Sequence, residues 1–65
     1  MRTRYFTGTD TLWIELRPSP MVDTRDVDDG TLVEADSAGS IGAITIECAS
    51  QRADLSTFDF ERVTA

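Results

Sequence analysis

The chain has 65 residues, one cysteine, no histidine and no lysine, and a formal net charge of −6. That length allows one domain spanning residues 1–65, with a core covering only about 60% of what the unfolded chain exposes. With these residue types missing, the sequence excludes an internal disulfide, a histidine general base and a lysine Schiff base, and it speaks against a structural zinc site. Small domains without such staples are commonly held by association, so a homodimer or a constitutive partner is expected. No apolar run reaches membrane-spanning length, and Met1-Arg2-Thr3-Arg4-Tyr5 lacks the apolar stretch of a signal peptide. The expectation is a cytoplasmic protein without membrane contact.

Along the chain the dominant period is two, the signature of half-buried strands. In Thr11–Leu16, Leu12, Ile14 and Leu16 fall on one face, Trp13 and Glu15 on the other. Pro18 and Pro20 close this strand, since neither has a backbone donor. Met21–Val27 reads as a weaker, polar strand. Asp29-Gly30 marks a tight turn, both residues tolerating positive φ, and Thr31–Ala35 returns as the partner strand. Asp36–Ser40 is the next turn. Ile41–Cys48 alternates again, with Ile44, Ile46 and Cys48 on one face, and Gly42 marks a bulge or a close approach. Cys48 reads as a buried small hydrophobe. A short helix is expected from Ala49 to Leu55, capped by Ser50. Thr57–Val63 forms a last strand or an extended arm. The fold class is mainly β (α+β): an antiparallel meander of four to five strands with a short C-terminal helix or arm.

Charge is uneven. Asp23, Asp26, Asp28, Asp29, Glu34 and Asp36 face one arginine, Arg25, between positions 23 and 36. A segment this acidic disfavours nucleic acid, whose phosphates need a basic surface. It suits a basic protein, or serves to keep an edge strand solvated. The spacing does not make a calcium loop: Val27 and Arg25 occupy positions before Gly30 where oxygen ligands would stand. No metal or other cofactor is expected. Paired carboxylates for acid–base chemistry need a cleft that a chain of this size hardly encloses, so an enzyme is not expected. Trp13 opposite the apolar strand face reads either as an interface anchor or as packed beneath Tyr5-Phe6 or Phe58/Phe60. Trp13, Tyr5, Phe58 and Phe60 are the candidate dimer-interface residues.

Tyr5-x4-Asp10-x-Leu12-Trp13-Ile14-x-Leu16, Asp29-Gly30, Gly42-x-Ile44-x-Ile46 and Ala49-Ser50-x-Arg52 occur in that order. Together they resemble a family of small bacterial domains of unknown function, number 2283, over roughly Tyr5 to Leu55. The chain departs from the family pattern at Phe6, where an aspartate is usual, and at Trp13, where a tyrosine is usual. The resemblance implies a small β-rich fold without an established activity. Members encoded beside small toxin-like proteins imply an antitoxin-like partner role. The combined expectation is a non-enzymatic interaction module offering the acidic hairpin to a small basic protein. The alternative is a small-ligand or divalent-metal module whose site forms at a homodimer interface.

Overall fold

The computed structural model describes all 65 residues. Five strands run in chain order: β1 (Arg2–Phe6), β2 (Thr11–Glu15), β3 (Asp23–Asp28), β4 (Thr31–Ala35) and β5 (Ile41–Ile46). A four-residue helix, α1 (Ala49–Arg52), follows. The strands form one antiparallel sheet in the order β1-β2-β5-β4-β3. Thus β3–β4–β5 is a three-strand meander, and the β1–β2 hairpin docks on its free side.

β1 is an edge strand, so the alternative in which Tyr5-Phe6 lies over Trp13 is not the one adopted. Thr3 and Tyr5 face the same way as their partners Ile14 and Leu12, while Arg2 and Arg4 face the way of Glu15 and Trp13. The C-terminal alternative resolves to an extended arm: residues 53–65 contain no strand, and 56–65 are exposed.

The β2–β3 connection crosses the end of the sheet past β5 and β4. Pro18 and Pro20 lie within it, and backbone bonds tie it at both ends, from Leu16 N–H to Gly42 O (2.7 Å) and from Val22 N–H to Ala35 O (2.8 Å). Gly42 falls at the register shift opposite Glu34/Ala35, so it is both a bulge and a close approach. A Cβ there would sit 2.5 Å from Met21 Cε. Gly30 takes φ +94° in the β3–β4 turn and Gly39 φ +83° in the β4–β5 turn, a region L side chains rarely enter. Asp29 does not share the positive φ that the sequence assigned to both turn residues.

Direct cross-strand partners share a face. One face carries the row Thr3–Ile14–Ile44–Val33–Arg25 and, beside it, Tyr5–Leu12–Ile46–Thr31. The other carries Arg4–Trp13–Thr45–Leu32–Asp26 and Arg2–Glu15–Ala43–Glu34–Thr24. These are called the Ile44 face and the Trp13 face below. Only five of 65 residues are buried, the apolar ones being Leu12, Ala35, Ala43 and Ala49. The sheet is therefore close to a single layer. No helix is long and apolar enough to cross a membrane.

Candidate functional site

The aspartates occupy the outer edge. Every residue of β3 is exposed, and polar residues dominate it: Val27 is its only apolar side chain. Asp23 pairs with Arg25 Nε at 2.9 Å, and Asp28 lies 3.7 Å from Arg52. Asp26 and Asp29 take part in none of the four ion pairs. Asp26, Asp28, Asp29 and Glu47 line a shallow hollow of about 350 Å³, with Gly30 and Leu32 completing its wall. Glu47 was not singled out in the sequence. It joins the aspartates because its N–H donates to Gly30 O (2.8 Å), a contact only the folded register creates.

The other two acidic residues stand apart. Glu34 lies on β4, beside Thr24 in register and partly buried. Asp36 is committed to its own turn. Its Oδ1 accepts from Ala38 N–H (2.9 Å) and Ser40 N–H (3.0 Å), and its Oδ2 accepts from Arg17 Nη2 (3.2 Å). The Ser40 N–H holds the Asp36 carboxyl below the ordinary value of 3.8; desolvation, next in size, opposes it, and Ala38 N–H and Arg17 add to the lowering. The edge strand, its turn and Glu47 are thus the acidic surface. No group of three or more histidine, cysteine, aspartate or glutamate side chains converges closely enough to hold a metal ion.

The four candidate interface residues do not form one surface. Tyr5 and Phe58 meet on the Ile44 face, where with Thr3, Leu12, Ala53 and Leu55 they surround a hollow of about 300 Å³. Trp13 lies on the opposite face, with the Arg2 and Arg4 guanidinium carbons each 5.9 Å from its ring centre. Phe6, not Tyr5, accompanies it there. Phe60 is 67% exposed on the arm.

The short helix is held by residues outside it. Ser50 was expected to be its cap, but the cap position is Cys48, which makes no side-chain capping bond. Cys48 takes φ +53° and is exposed. The core role expected from its alternation therefore fails: the strand ends at Ile46, and the left-handed residue breaks its parity. Asp10 supplies the missing cap from the β1–β2 turn. Its carboxylate accepts from Ser50 N–H (3.0 Å), Ser50 Oγ (2.7 Å) and Tyr5 OH (2.7 Å), while its carbonyl accepts from Ala49 N–H (2.9 Å). Asp10 itself sits at φ +52°, which a short polar side chain tolerates. Arg52 anchors the other end. Its guanidinium donates to Gly30 O (2.8 Å) and Thr31 Oγ1 (2.6 Å). The pair Asp10 and Arg52 therefore fixes α1 between the β1–β2 turn and the acidic β3–β4 turn.

Titration follows from these bonds. The Tyr5 hydroxyl and then Ser50 lower the Asp10 pKa below 3.8, partly offset by desolvation. The bond to Asp10, then desolvation, raises the Tyr5 pKa above 10.0. A carboxylate depressed in the folded state adds stability above its unfolded pKa and loses it as pH falls through the folded one. A phenol raised in the folded state adds stability below its unfolded pKa and loses it as pH rises through the folded one. Urea midpoints should therefore be level between about pH 5 and 9 and fall on both sides. A Tyr5→Phe variant should lose the alkaline fall attributable to Tyr5, as checked by urea melts across pH.

A family described as "Protein of unknown function (DUF2283)" matches residues 2–50, which take in all five strands and the Asp10–Ser50 contact. No curated protein and no solved structure matches the chain. With three quarters of its length matched, the chain belongs to the family of proteins of unknown function DUF2283.

Proposed function

We propose that the protein is a non-enzymatic interaction module that offers its acidic edge strand, β3, to a basic protein segment. The observation carrying this reading is that β3 is an edge strand exposed along its whole length, with Asp26 and Asp29 left without ion-pair partners. A free edge has a row of backbone donors and acceptors that an extended peptide can complete. Its carboxylates disfavour pairing with another acidic edge and favour a basic one. Arg52 and Glu47 fix the turn beside it, so the surface is organised before a partner arrives. The concrete version is an antitoxin-like inhibitor of a small basic protein, in which charge complementarity raises the on-rate and covers a cationic site.

The test is capture from the source cell's lysate at low salt, with elution by rising salt. The wild-type chain is compared with one in which Asp23, Asp26, Asp28 and Asp29 are serine. The expected result is a basic protein at near-equal stoichiometry, released by salt and held on the order of 100-fold less tightly by the variant. Binding to a partner that is indifferent both to salt and to the four substitutions contradicts the reading.

A further inference from the structure

We infer that the Ile44 face is covered by a second copy of this chain, with Ile44 at the centre of a two-fold contact. The inference does not depend on the acidic-edge reading and concerns a different surface.

The two faces differ in kind. The Trp13 face carries charge on its central strands, Glu15 on β2 and Glu34 on β4, as well as Arg2, Arg4 and Asp26 at its edges, whereas in the two rows of the Ile44 face charge stands only on the edge strand β3, at Arg25 and Asp28. The Ile44 face carries Ile14, Ile44 and Val33 on its three central strands and polar residues, Thr3 and Arg25, on its edges. An apolar centre with a polar rim is the anatomy of a protein interface. The neighbouring Tyr5–Leu12–Ile46–Thr31 row is met by Leu55 and Phe58 at one end and by Arg52 at Thr31. Ile14, Ile44 and Val33 themselves remain partly exposed. No side chain of the protein larger than alanine reaches complete burial.

The area fits one copy. The chain exposes 4978 Å², whereas a folded monomer of 7.2 kDa is expected to expose about 4,100 Å². The excess, roughly 900 Å², is shared between the uncovered sheet and the exposed arm 56–65 whose Phe58 adjoins the Ile44 face, and it is of the same order as the ~800 Å² that each partner contributes to a standard interface. The Cα radius of gyration is 12.9 Å, against about 11 Å for a compact chain of this length. Phe58, 64% exposed, adjoins the same face and extends the apolar surface.

The pattern also fits itself. β5 is the middle strand of five, and the strands on either side, β2 and β4, each place a β-branched residue opposite Ile44. A two-fold axis through Ile44 therefore sets apolar centre on apolar centre and closes as a dimer, without propagating further. Both β3 edges stay free in such a dimer.

The experiment uses the full chain. Sedimentation velocity at micromolar concentration should give twice the 7.2 kDa chain mass, and the urea midpoint should rise with protein concentration. In a Cys48→Ser background, a short bis-maleimide should join Ile44→Cys copies into dimers and leave Thr45→Cys copies, on the opposite face, unjoined. Ile44→Glu should abolish the doubled mass and Trp13→Ser should keep it. A monomer with a concentration-independent midpoint overturns the inference, and so does preferential cross-linking through Thr45→Cys. If Ile44→Glu fails to fold, the wild-type midpoint and the cross-linking pair still decide.

Discussion

Asp10→Ala is expected to give the largest loss of stability of any single exposed-side-chain substitution, a fall in melting temperature on the order of 10 °C. The carboxylate accepts from Ser50 N–H, Ser50 Oγ and Tyr5 OH. A four-residue helix cannot hold itself, because nucleating the first turn fixes several residues for a single bond. The helix exists because Asp10 satisfies its first N–H groups from outside. Alanine also fits poorly at φ +52°, where aspartate and asparagine are tolerated. Asp10→Asn should consequently fall between wild type and alanine, separating lost charge from lost backbone tolerance. Circular dichroism melts measure the total. Amide exchange at Ala53, whose N–H donates to Ala49 O (2.9 Å), reports the helix itself and should accelerate before the strand amides do. An unchanged melt would show that the Asp10 contacts add nothing in solution.

Arg52→Ala should cost about 2 kcal/mol, the loss of two charge-assisted hydrogen bonds at a partly exposed position. Its guanidinium spans Gly30 O and Thr31 Oγ1, with Asp28 at 3.7 Å. Lysine has no planar fork to reach both acceptors, so Arg52→Lys should recover only a minor part. Glu47 N–H continues to hold Gly30 O, so the β3–β4 turn should loosen without opening. Asp10 and Arg52 act on the two ends of one helix, which makes their effects interdependent. Once either lets the helix go, the other has less to hold, and the double variant should cost less than the sum of the singles. Urea melts of the four proteins in this cycle measure that coupling directly.

Strands β2, β4 and β5 are legible in the sequence because a period-two pattern with β-branched residues leaves little choice of face. Gly30 and Gly39 are legible as turn residues for another local reason, the positive φ that glycine accepts in Asp29-Gly30 and in the Asp36–Ser40 turn. β1 is not: Arg2–Phe6 has no apolar stripe of its own and becomes a strand because Leu12 and Ile14 offer it an edge. The pairing of β2 with β5 is likewise a tertiary outcome, and it is what places Ile14 beside Ile44. The acidic strand was visible from composition, but its membership was not. Asp36 is drawn into a local turn and Glu34 into the sheet, while Glu47 arrives from beyond β5. Ser50 illustrates the limit of local rules. A serine beside a helix start reads as its own cap, yet the group that caps this helix is an aspartate 40 positions earlier. Cys48 fails for a related reason, since one left-handed residue cancels the parity on which its burial was inferred.

The acidic edge is the central claim, and a chemical-shift titration of the nitrogen-15-labelled chain tests it most directly. The probe is an extended peptide alternating arginine and threonine, with a glutamate–threonine peptide as control. The account predicts amide shifts and slowed exchange along Asp23–Asp28 with the basic peptide only. These changes should be lost at high salt and in the chain with Asp23, Asp26, Asp28 and Asp29 replaced by serine. Equal responses to both peptides, or shifts centred on β1 with β3 silent, would contradict it.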